Sequence, residues 1–504
     1  MAAAMLFIGI ANILWAERLM IDGGLGWDSV FYGTWAQHFY RAIFVERVAE
    51  YYVGRILPSA VVHYGMRLLG VALEPNRNVI IAFDIYNVLL LTLSAYVWGL
   101  IADRLQISTA GKWFGFCSLF LSYAILKANF YNPVLTDTTA FALGLLMFYF
   151  FVADRPGGLI AVMILGGFTW PTLPPMAALL YVFPRRKEEH LPFDRKNPGW
   201  MSKLNVIFAA LTAASTAACI VLLTVPLRLK TVDAFGRVLR IDWALLYLSI
   251  AATTVYLYFA MKAAADNKRL FDIKATLSRL TWKRVGLAVA ILGVLKITTH
   301  VLASGQPSWG SFPLFVAYTF ASSVTEPLIF FVAHAVFYGP AIILLAIFWR
   351  PFCESLDDFG FGMRIFVILN MGLSINPQSR YQMNAVPAFL ILLVRLLDRY
   401  SLRARDVALW SVLCLVYSKV WYVMNTAPQI DDNTMAVLLR FPLQHYFMNS
   451  GPWMSHQMYL VQASAVLVTA VLLYVLIQRR VRAPLGFGDS RWQTSDQEAA
   501  RLQR

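Results

Sequence analysis

The sequence predicts an all-α, polytopic membrane protein with about 12–14 transmembrane helices joined by loops of very unequal length. Hydrophobic residues make up 59% of its 504 positions and charged residues only 14%, and the mean hydropathy is +0.60. A soluble globular protein carries roughly 25% charged residues, so this chain could not cover a folded surface with polar groups. The composition excludes a disordered chain, a disulfide-rich secreted scaffold and an ordinary cytosolic enzyme.

Candidate spans are apolar runs of about 20 residues, or shorter runs where Gly or Pro interrupts a helix. The first run, MAAAMLFIGIANILWA, has no basic n-region and no clear cleavage site, so we expect a membrane helix rather than a removed signal peptide. The predicted spans cover residues 4–20, 80–101, 113–127, 138–153, 158–169, 173–183, 204–226, 241–261, 285–303, 327–348, 362–375, 383–397, 407–424 and 460–478.

Three prolines interrupt the run between residues 158 and 183. Pro171, Pro174 and Pro175 remove backbone donors and stop a helix, so we expect two short half-spans there. A single kinked span is the alternative.

Lysine and arginine set the expected orientation. One set of loops holds 26 of these residues: segments 102–112, 154–157, 184–203, 262–284, 349–361, 398–406 and 479–504. The opposite set holds 11: segments 21–79, 128–137, 170–172, 227–240, 304–326, 376–382 and 425–459. The positive-inside rule therefore predicts that the first set is cytoplasmic. The net charge of +15 is explained by these loops, and no nucleic-acid partner is expected.

Two outer loops are unusual. Residues 21–79 mix aromatic, aliphatic and basic positions at helical spacing, so we expect helices that lie on the outer membrane surface. Residues 425–459 contain a similar stretch. We interpret residues 1–478 as a single transmembrane domain and 479–504 as a basic cytoplasmic tail, predicted to be flexible.

Most signatures of soluble enzymes do not occur. The sequence contains no GxxxxGK[ST], no HExxH and no GxSxG, and no two of its seven histidines have metal-ligand spacing. The four cysteines are far apart, and three of them lie in apolar runs, which favours buried thiols over a disulfide framework.

Three polar motifs converge on the predicted outer side. Asp28 follows the first span, Asp137 precedes the fourth, and Arg380 precedes the twelfth. A carboxylate among Trp27, Phe31 and Tyr32 is costly unless it is paired, and it could accept a proton from a substrate hydroxyl. A guanidinium can bind a phosphate through two parallel hydrogen bonds.

Each motif also has a purely structural interpretation. Asp28 could cap a helix that begins at Ser29, and Asp137 could cap the fourth span. Arg380 could reach out to lipid headgroups. If Asp137 is functional, it is a second carboxylate that binds a metal or the acceptor.

Further candidates carry weaker signals. Arg55 could meet a phosphate or a sugar, and Trp170 could stack on a sugar or anchor the interface. Glu326 and His334, at the start of and inside the tenth predicted span, are functional candidates, because ionisable groups are costly in a membrane. Asp84 and Lys419 lie inside predicted spans and should be paired or face the bundle interior.

Taken together, these segments resemble the GT-C superfamily of integral-membrane glycosyltransferases, which use polyprenyl-phosphate-linked sugars. The resemblance rests on Asp28 early in a long first outer loop, on YYVGRILPS from Tyr51, on NPVLTDTTAFALGL around Asp137, on the break near Trp170, and on SRYQMNAVPAFLIL from Ser379. It covers most of the first 185 residues and the 370–400 segment.

The resemblance implies a GT-C-like fold with the active site on the periplasmic or luminal face. It implies Asp28 as the general base, Arg380 as the binder of the lipid phosphate and Asp137 as an auxiliary acid. The matched motifs also make Tyr52 and Tyr381 candidate substrate-binding residues.

Two departures from the family pattern bear on the chemistry. The acidic pair often seen in the first loop is here Asp28-Ser29, so a divalent cation such as Mg²⁺ or Mn²⁺, held by Asp28 and Asp137, is an open alternative rather than a requirement. No soluble outer domain follows the last predicted span, which favours a monosaccharide transferase over an oligosaccharyltransferase.

The sequence thus predicts a transferase that uses a lipid-linked sugar donor and a glycan, lipid or protein acceptor, in contact with membrane lipids. We expect the bacterial inner membrane, with a periplasmic active site. A transporter or lipid flippase that uses Asp84, His334 and Lys419 is the rival hypothesis, and a non-catalytic membrane partner is the third.

Overall fold

The computed structural model describes residues 1–185, 203–230, 243–266, 268–271, 280–305, 312–425, 454 and 456–482. This part of the chain is 78% helical and contains no strand; a single isolated bridge joins Val48 and Ala303. The all-α prediction is therefore confirmed for the described residues. The predicted tail beyond residue 482 and most of the 425–459 loop lie outside them.

The α-helices are numbered in chain order. They are α1 (Ala2–Trp15), α2 (Asp28–Gln37), α3 (Glu50–Val53), α4 (Leu57–Leu68), α5 (Asn76–Arg104), α6 (Thr109–Phe120), α7 (Asn129–Tyr131), α8 (Asp137–Val152), α9 (Pro156–Gly167), α10 (Leu173–Val182), α11 (Leu204–Lys230), α12 (Trp243–Ala264), α13 (Trp282–Leu302), α14 (Phe312–Ser322), α15 (Ile329–Tyr338), α16 (Ala341–Ile347), α17 (Trp349–Ser355), α18 (Phe361–Leu373), α19 (Val386–Asp398), α20 (Ala404–Ser418) and α21 (His456–Arg482).

Five of these helices are long and apolar enough to cross a membrane. They are α5, α12, α13, α21 and the 204–222 part of α11, and a sixth span arises if α6 is counted with the helical segment Ala124–Tyr131, which is bent from it by 53°. The chain is therefore a multi-pass membrane protein. The total of 12–14 spans remains a prediction.

Every predicted span contains helix, but several boundaries differ from the predicted ones. The first helix ends at Trp15, and the predicted span 327–348 is broken between α15 and α16 at Gly339 and Pro340. Gly339 adopts a φ of +90°, and proline has no N–H to donate, so a continuous helix is not possible there. Helix α14 lies in a segment that we expected to be an outer loop.

The proline break forms a turn between two helices. α9 and α10 are joined by five residues and pack extensively against each other, which a single kinked helix could not do. The prediction of two half-spans, rather than one bent span, is therefore confirmed at the level of helices.

The first outer loop folds into α2, α3, α4 and short 3₁₀ and π turns. Tyr32 and Trp35 of α2, together with Phe39 just after this helix, pack with Val53 and Val62 into a separate small core. The Leu57 N–H donates to the Phe168 carbonyl at 2.9 Å, so this loop is fastened to the α9–α10 turn. That attachment brings the first loop to the candidate site.

A close approach of backbones joins α8 to the segment before α19. Gly144 lies against the Asn384 backbone so closely that a Cβ would clash with the Asn384 carbonyl oxygen. Helix α8 begins with Asp137, and the segment before α19 carries Arg380. The small residue therefore allows the two motifs to meet.

Candidate functional site

Arg380 lies in a 3₁₀ turn, Ser379–Gln382, between α18 and α19. Two residues of α15 hold this turn: His334 Nδ1 is 2.9 Å from Ser379 Oγ, and the Tyr338 hydroxyl donates to the Ser379 carbonyl at 2.5 Å. The amide of Asn376 donates to Thr319 Oγ1 at 2.7 Å, which fixes the start of the loop. The guanidinium of Arg380 is thus carried by a well-supported turn.

Asp137 is the direct partner of Arg380. Arg380 Nε donates to Asp137 Oδ1 at 2.8 Å and Nη2 donates to Oδ2 at 2.7 Å, and the side chains are 23% and 12% exposed. Helix α8 begins at Asp137, with Thr136 as its N-cap and no side-chain capping bond. The capping interpretation of Asp137 and the lipid-facing interpretation of Arg380 are therefore both wrong.

The loop before Asp137 is held by hydrogen bonds to its backbone. Arg18 Nη1 donates to the Phe130 carbonyl at 2.6 Å, and the Asn87 amide donates to the Pro133 carbonyl at 2.9 Å. These bonds satisfy carbonyls that an irregular buried segment would otherwise leave without partners. Asp137 is therefore placed by a rigid loop.

Asp28 is the first residue of α2. The helix does not begin at Ser29, and Asp28 makes no capping hydrogen bond, so its capping interpretation is wrong as well. Ser29 instead donates to Asn132 Oδ1 at 2.5 Å, which ties the start of α2 to the loop that leads into Asp137. Trp27 has a φ of +58° and a ψ of −131°, a strained backbone conformation of the kind that clusters at functional sites.

The Asp28 carboxylate is half-buried, and it forms no hydrogen bond or ion pair with the described residues. Its charge nevertheless acts on Arg380, Arg55, Tyr32 and Tyr52. A carboxylate close to two guanidinium groups, but bound to neither, keeps its oxygens available to a ligand. The structure thus brings together all three motifs of the sequence analysis.

The charges of the site stabilise one another. Burial would lower the pKa of Arg380, but Asp137 and then Asp28 raise it, and on balance it lies above its ordinary value. Burial, with Asp28 beside it, raises the pKa of Tyr52 to about 12. Burial raises the pKa of Tyr32 and Tyr381 in the same way. The phenols are therefore neutral hydrogen-bond donors at physiological pH.

Aromatic rings line the region around Asp28. The centroid of the Tyr52 ring is 5.1 Å from that of Phe31 and 5.5 Å from that of Trp35, and Tyr32 is 5.3 Å from Trp35. Such rings offer flat apolar faces with polar edges, which suit a ligand that has both C–H and O–H groups. The sequence analysis named Tyr32 only as an aromatic neighbour of Asp28 and not as a candidate site residue; its position four residues after Asp28, one helical turn away, was the available signal.

Arg55 and Trp170 also belong to this cluster. The Arg55 guanidinium carbon lies 4.6 Å from the ring centroid of Trp170 and 4.5 Å from that of Tyr51. Trp170 is 1% exposed, and its Nε1 donates to the Tyr381 carbonyl at 3.5 Å. The break between α9 and α10 therefore supports both the first outer loop and the turn that carries Arg380.

Two other candidate residues, His334 and Glu326, have hydrogen-bond partners within the protein. His334 holds the Ser379 hydroxyl and also lies 2.8 Å from the Ser374 carbonyl through Nε2, so it positions the Arg380 turn. Glu326 accepts from His456 Nδ1 at 2.8 Å, at the start of α21. The sequence analysis treated both as functional candidates, and as ionisable groups near the membrane they were expected to contact substrate.

Two residues of the rival transport hypothesis, Asp84 and Lys419, contact residues other than Asp28, Asp137 and Arg380. Asp84 pairs with Arg18 at 2.7 Å, as the expectation of a paired carboxylate required. Lys419 follows the last residue of α20, in a left-handed conformation, and lies 5.5 Å from the ring centroid of Tyr123. Lys419 is therefore not inside a continuous helix.

The donor set does not fit a divalent cation. Both carboxylate oxygens of Asp137 accept hydrogen bonds from Arg380, and a guanidinium beside Asp28 would repel a cation. Within the described residues, no group of three or more histidine, cysteine, aspartate or glutamate side chains is arranged to hold a metal. No step of the chemistry is therefore derived through a metal.

An apolar cavity of about 260 Å³ lies next to the Arg380 turn. Trp349, Ser374 and Gln382 are among its lining residues, and Gln382 is two positions after Arg380 in the chain. Asp28 and Arg55 do not line this cavity. Most of its other walls are apolar: Tyr256, Phe259, Ala260, Phe331, Ile342, Leu345, Ala346, Met371, Val386 and Phe389. A cavity with this apolar lining suits a hydrocarbon chain with a polar end near Gln382.

Comparison with known proteins adds no relative. No family model matches the chain, and no match was found among curated proteins or among solved structures.

Proposed function

We propose that the protein is a membrane glycosyltransferase that moves a sugar from a polyprenyl-phosphate donor to an acceptor at the periplasmic or luminal face. One observation carries the proposal: the unpaired carboxylate of Asp28 stands within electrostatic reach of two guanidinium groups, Arg380 and Arg55. Asp28 and Arg55 lie in the first outer loop, and Arg380 comes from a distant segment of the chain. The GT-C-like fold, the 12–14 spans and the bacterial inner membrane are parts of the same proposal.

The chemistry of a lipid-linked sugar explains why these features occur together. The lipid tail requires an apolar path, the phosphate requires a cation, and the sugar requires a surface of aromatic and polar groups. The cavity beside Gln382 suits the tail. The guanidinium groups suit the phosphate, and the rings around Tyr52 suit the sugar.

In the proposed reaction, Asp28 is the general base. The acceptor O–H loses its proton to the Asp28 carboxylate while its oxygen forms a bond to C1 of the sugar. The bond between C1 and the phosphate oxygen breaks, and its electron pair leaves with the polyprenyl phosphate. A fixed positive charge stabilises that leaving group, which is a large catalytic contribution. Direct displacement of this kind inverts the configuration at C1.

The roles of the arginines follow from their charge. The family resemblance implies that Arg380 binds the lipid phosphate; its positive charge stabilises that phosphate, while Asp137 keeps the guanidinium oriented. The neutral hydroxyls of Tyr32, Tyr52 and Tyr381 are available as donors to the sugar or to the phosphate.

The test is transfer of radiolabel from a panel of lipid-linked monosaccharides in membranes that contain the protein. Asp28→Asn should lower the rate by about 10²–10⁴-fold, the usual contribution of a general base, without reducing donor binding. Asp22→Asn is the matched control, because Asp22 is an exposed carboxylate of the same loop whose left-handed conformation asparagine also tolerates. Transfer by Asp28→Asn at the wild-type rate, or retention at C1, would refute the base assignment.

A further inference from the structure

Arg55 is a buried cation without a partner. The residue is 2% exposed, and its Nε atom is buried and has no hydrogen-bond partner. Its guanidinium forms no hydrogen bond or ion pair with any described residue. Burying a guanidinium with no hydrogen-bonded partner costs free energy even where nearby groups such as Asp28 stabilise its charge, so arginine is rarely retained in such a position without a reason.

Three other arginines that are largely buried within the described residues each pair with a carboxylate. Arg18 donates to Asp84 and to the Phe130 carbonyl. Arg364 donates to Asp357 and to two backbone carbonyls, and Arg380 donates to Asp137. Arg55 is the exception among these four.

Aromatic rings stabilise the charge of Arg55 but not its donors. The rings of Tyr51 and Trp170, at 4.5 and 4.6 Å from the guanidinium carbon, provide cation–π attraction worth up to about 2 kcal/mol in a desolvated site. They accept none of the five N–H groups of a guanidinium as a carboxylate would. A ligand with two adjacent oxygens could therefore bind in the plane of the guanidinium, as phosphate does.

The neighbourhood of Arg55 offers a second free donor. The hydroxyl of Tyr32 is buried and has no hydrogen-bond partner, and its side chain interacts electrostatically with both Arg55 and Asp28. Burial raises the pKa of Tyr32, so the phenol stays protonated and able to donate.

The backbone around Arg55 is fixed. The Arg55 N–H donates to the Tyr52 carbonyl at 2.9 Å, and the Leu57 N–H donates to Phe168. Glu50, at the start of the short helix α3 that contains Tyr52, hydrogen-bonds to Lys296 of α13. The guanidinium is therefore preorganised, which reduces the entropy lost when a ligand binds.

We propose that Arg55, together with the Tyr32 hydroxyl, forms the primary subsite for the donor's phosphate, and that Arg380 keeps its pair with Asp137 and acts on the phosphate only through its field. This inference rests on the proposed function, because it assigns the phosphate of the same donor. It differs from what the family resemblance implies, which is that Arg380 binds the phosphate directly. A phosphate on Arg55 would lie beside Asp28, where the acceptor must approach the sugar.

The experiment measures binding without transfer. Purified protein in nanodiscs is titrated with undecaprenyl phosphate, which carries no sugar, and binding is also competed with inorganic phosphate and with phosphatidic acid. Arg55→Gln should weaken undecaprenyl phosphate binding at least tenfold, and Arg55→Lys should weaken it less, because lysine keeps the charge but not the paired donors. Arg67→Gln is the matched control, because Arg67 is an exposed arginine of the next helix; it should bind as the wild type does.

A structural role for Arg55 makes a different prediction. If its contacts with Tyr51 and Trp170 held the fold, Arg55→Gln would lower the unfolding temperature; removal of an unpaired buried cation should instead leave that temperature unchanged or raise it. Binding by Arg55→Gln within twofold of the wild type would overturn the inference. It would also be overturned if Arg380→Gln lost more affinity than Arg55→Gln, or if phosphatidic acid bound at Arg55 more tightly than undecaprenyl phosphate.

Failure of the subsite and failure of the proposed function are distinguishable. Arg55-dependent binding of undecaprenyl phosphate in a protein that transfers no sugar would keep the subsite and reject the transferase. Asp28-dependent transfer with normal binding by Arg55→Gln would keep the transferase and reject the subsite.

Discussion

Arg380 and Asp137, which are 243 positions apart in the chain, form two parallel hydrogen bonds of 2.8 and 2.7 Å. Bidentate geometry of this kind fixes the plane of a guanidinium as well as its position. The pair joins the first turn of α8 to the loop before α19. Because the Asp137 carboxylate is thereby neutralised, Asp28 is left as the unpaired acid of the site.

The Asp137–Arg380 pair should contribute to stability. Removing one partner of a fully buried pair costs about 3–5 kcal/mol; since these side chains are 23% and 12% exposed, we expect Asp137→Asn to lower the free energy of unfolding by about 1–3 kcal/mol. Chemical unfolding in detergent micelles would measure this. The double variant Asp137→Asn/Arg380→Gln should be clearly less destabilised than the sum of the two single variants, and strict additivity would mean that the two groups do not interact in solution.

The close contact at Gly144 should be intolerant of a methyl group. Gly144→Ala places a Cβ against the Asn384 carbonyl oxygen, so α8 must move away from the Arg380 loop; we expect a loss of about 1–3 kcal/mol and reduced transfer. Gly293→Ala is the control, because no atom lies within 4 Å of its added Cβ. That variant should be neutral or stabilised by about 0.5–1 kcal/mol, since alanine favours helix. Equal effects of the two changes would contradict the packing described for Gly144.

His334 should act as a positioning residue for the Arg380 turn. His334→Ala removes the partner of the Ser379 hydroxyl and of the Ser374 carbonyl, so the free energy of unfolding should fall by about 1–3 kcal/mol. The KM for the lipid-linked donor should rise more than kcat falls, because the turn loses its support. His38→Ala changes an exposed histidine and should alter stability by less than about 0.5 kcal/mol. If His334 contacted substrate directly, kcat would fall while stability stayed unchanged.

Acid should weaken the attachment of the first outer loop to α13. A hydrogen bond from Lys296 lowers the pKa of Glu50 below its ordinary value of 4.5. A carboxyl with a lowered pKa in the folded state adds stability that is present above the unfolded pKa and is lost as the pH falls through the folded one. Between pH 6 and pH 3, the unfolding temperature should therefore fall less steeply for Glu50→Gln than for the wild type. The difference should arise in the range of roughly pH 2–5, where carboxyl groups titrate. Lys296→Gln should flatten the profile in the same way, and an unchanged profile in either variant would contradict this linkage.

The helical segments of the membrane protein were readable from the sequence because hydropathy acts locally. Every predicted span contains helix, and the prolines after Trp170 correctly indicated a turn between α9 and α10. The separation of α15 from α16 was missed, although Gly339 and Pro340 marked it, because an apolar run masks a break that falls within it.

The motifs of the site could be chosen from the sequence, but the partner of each residue could not. Asp28, Asp137 and Arg380 were candidates on the basis of side and residue type. Which carboxylate binds Arg380, and which one stays free, depends on how α8 approaches the loop before α19 at Gly144. Arg55 likewise looked like a weaker candidate until its burial beside Tyr51 and Trp170 was known. Pairing between distant charges is a property of packing, because the energy of a buried ion depends on every group around it, and no single segment of the chain carries that information.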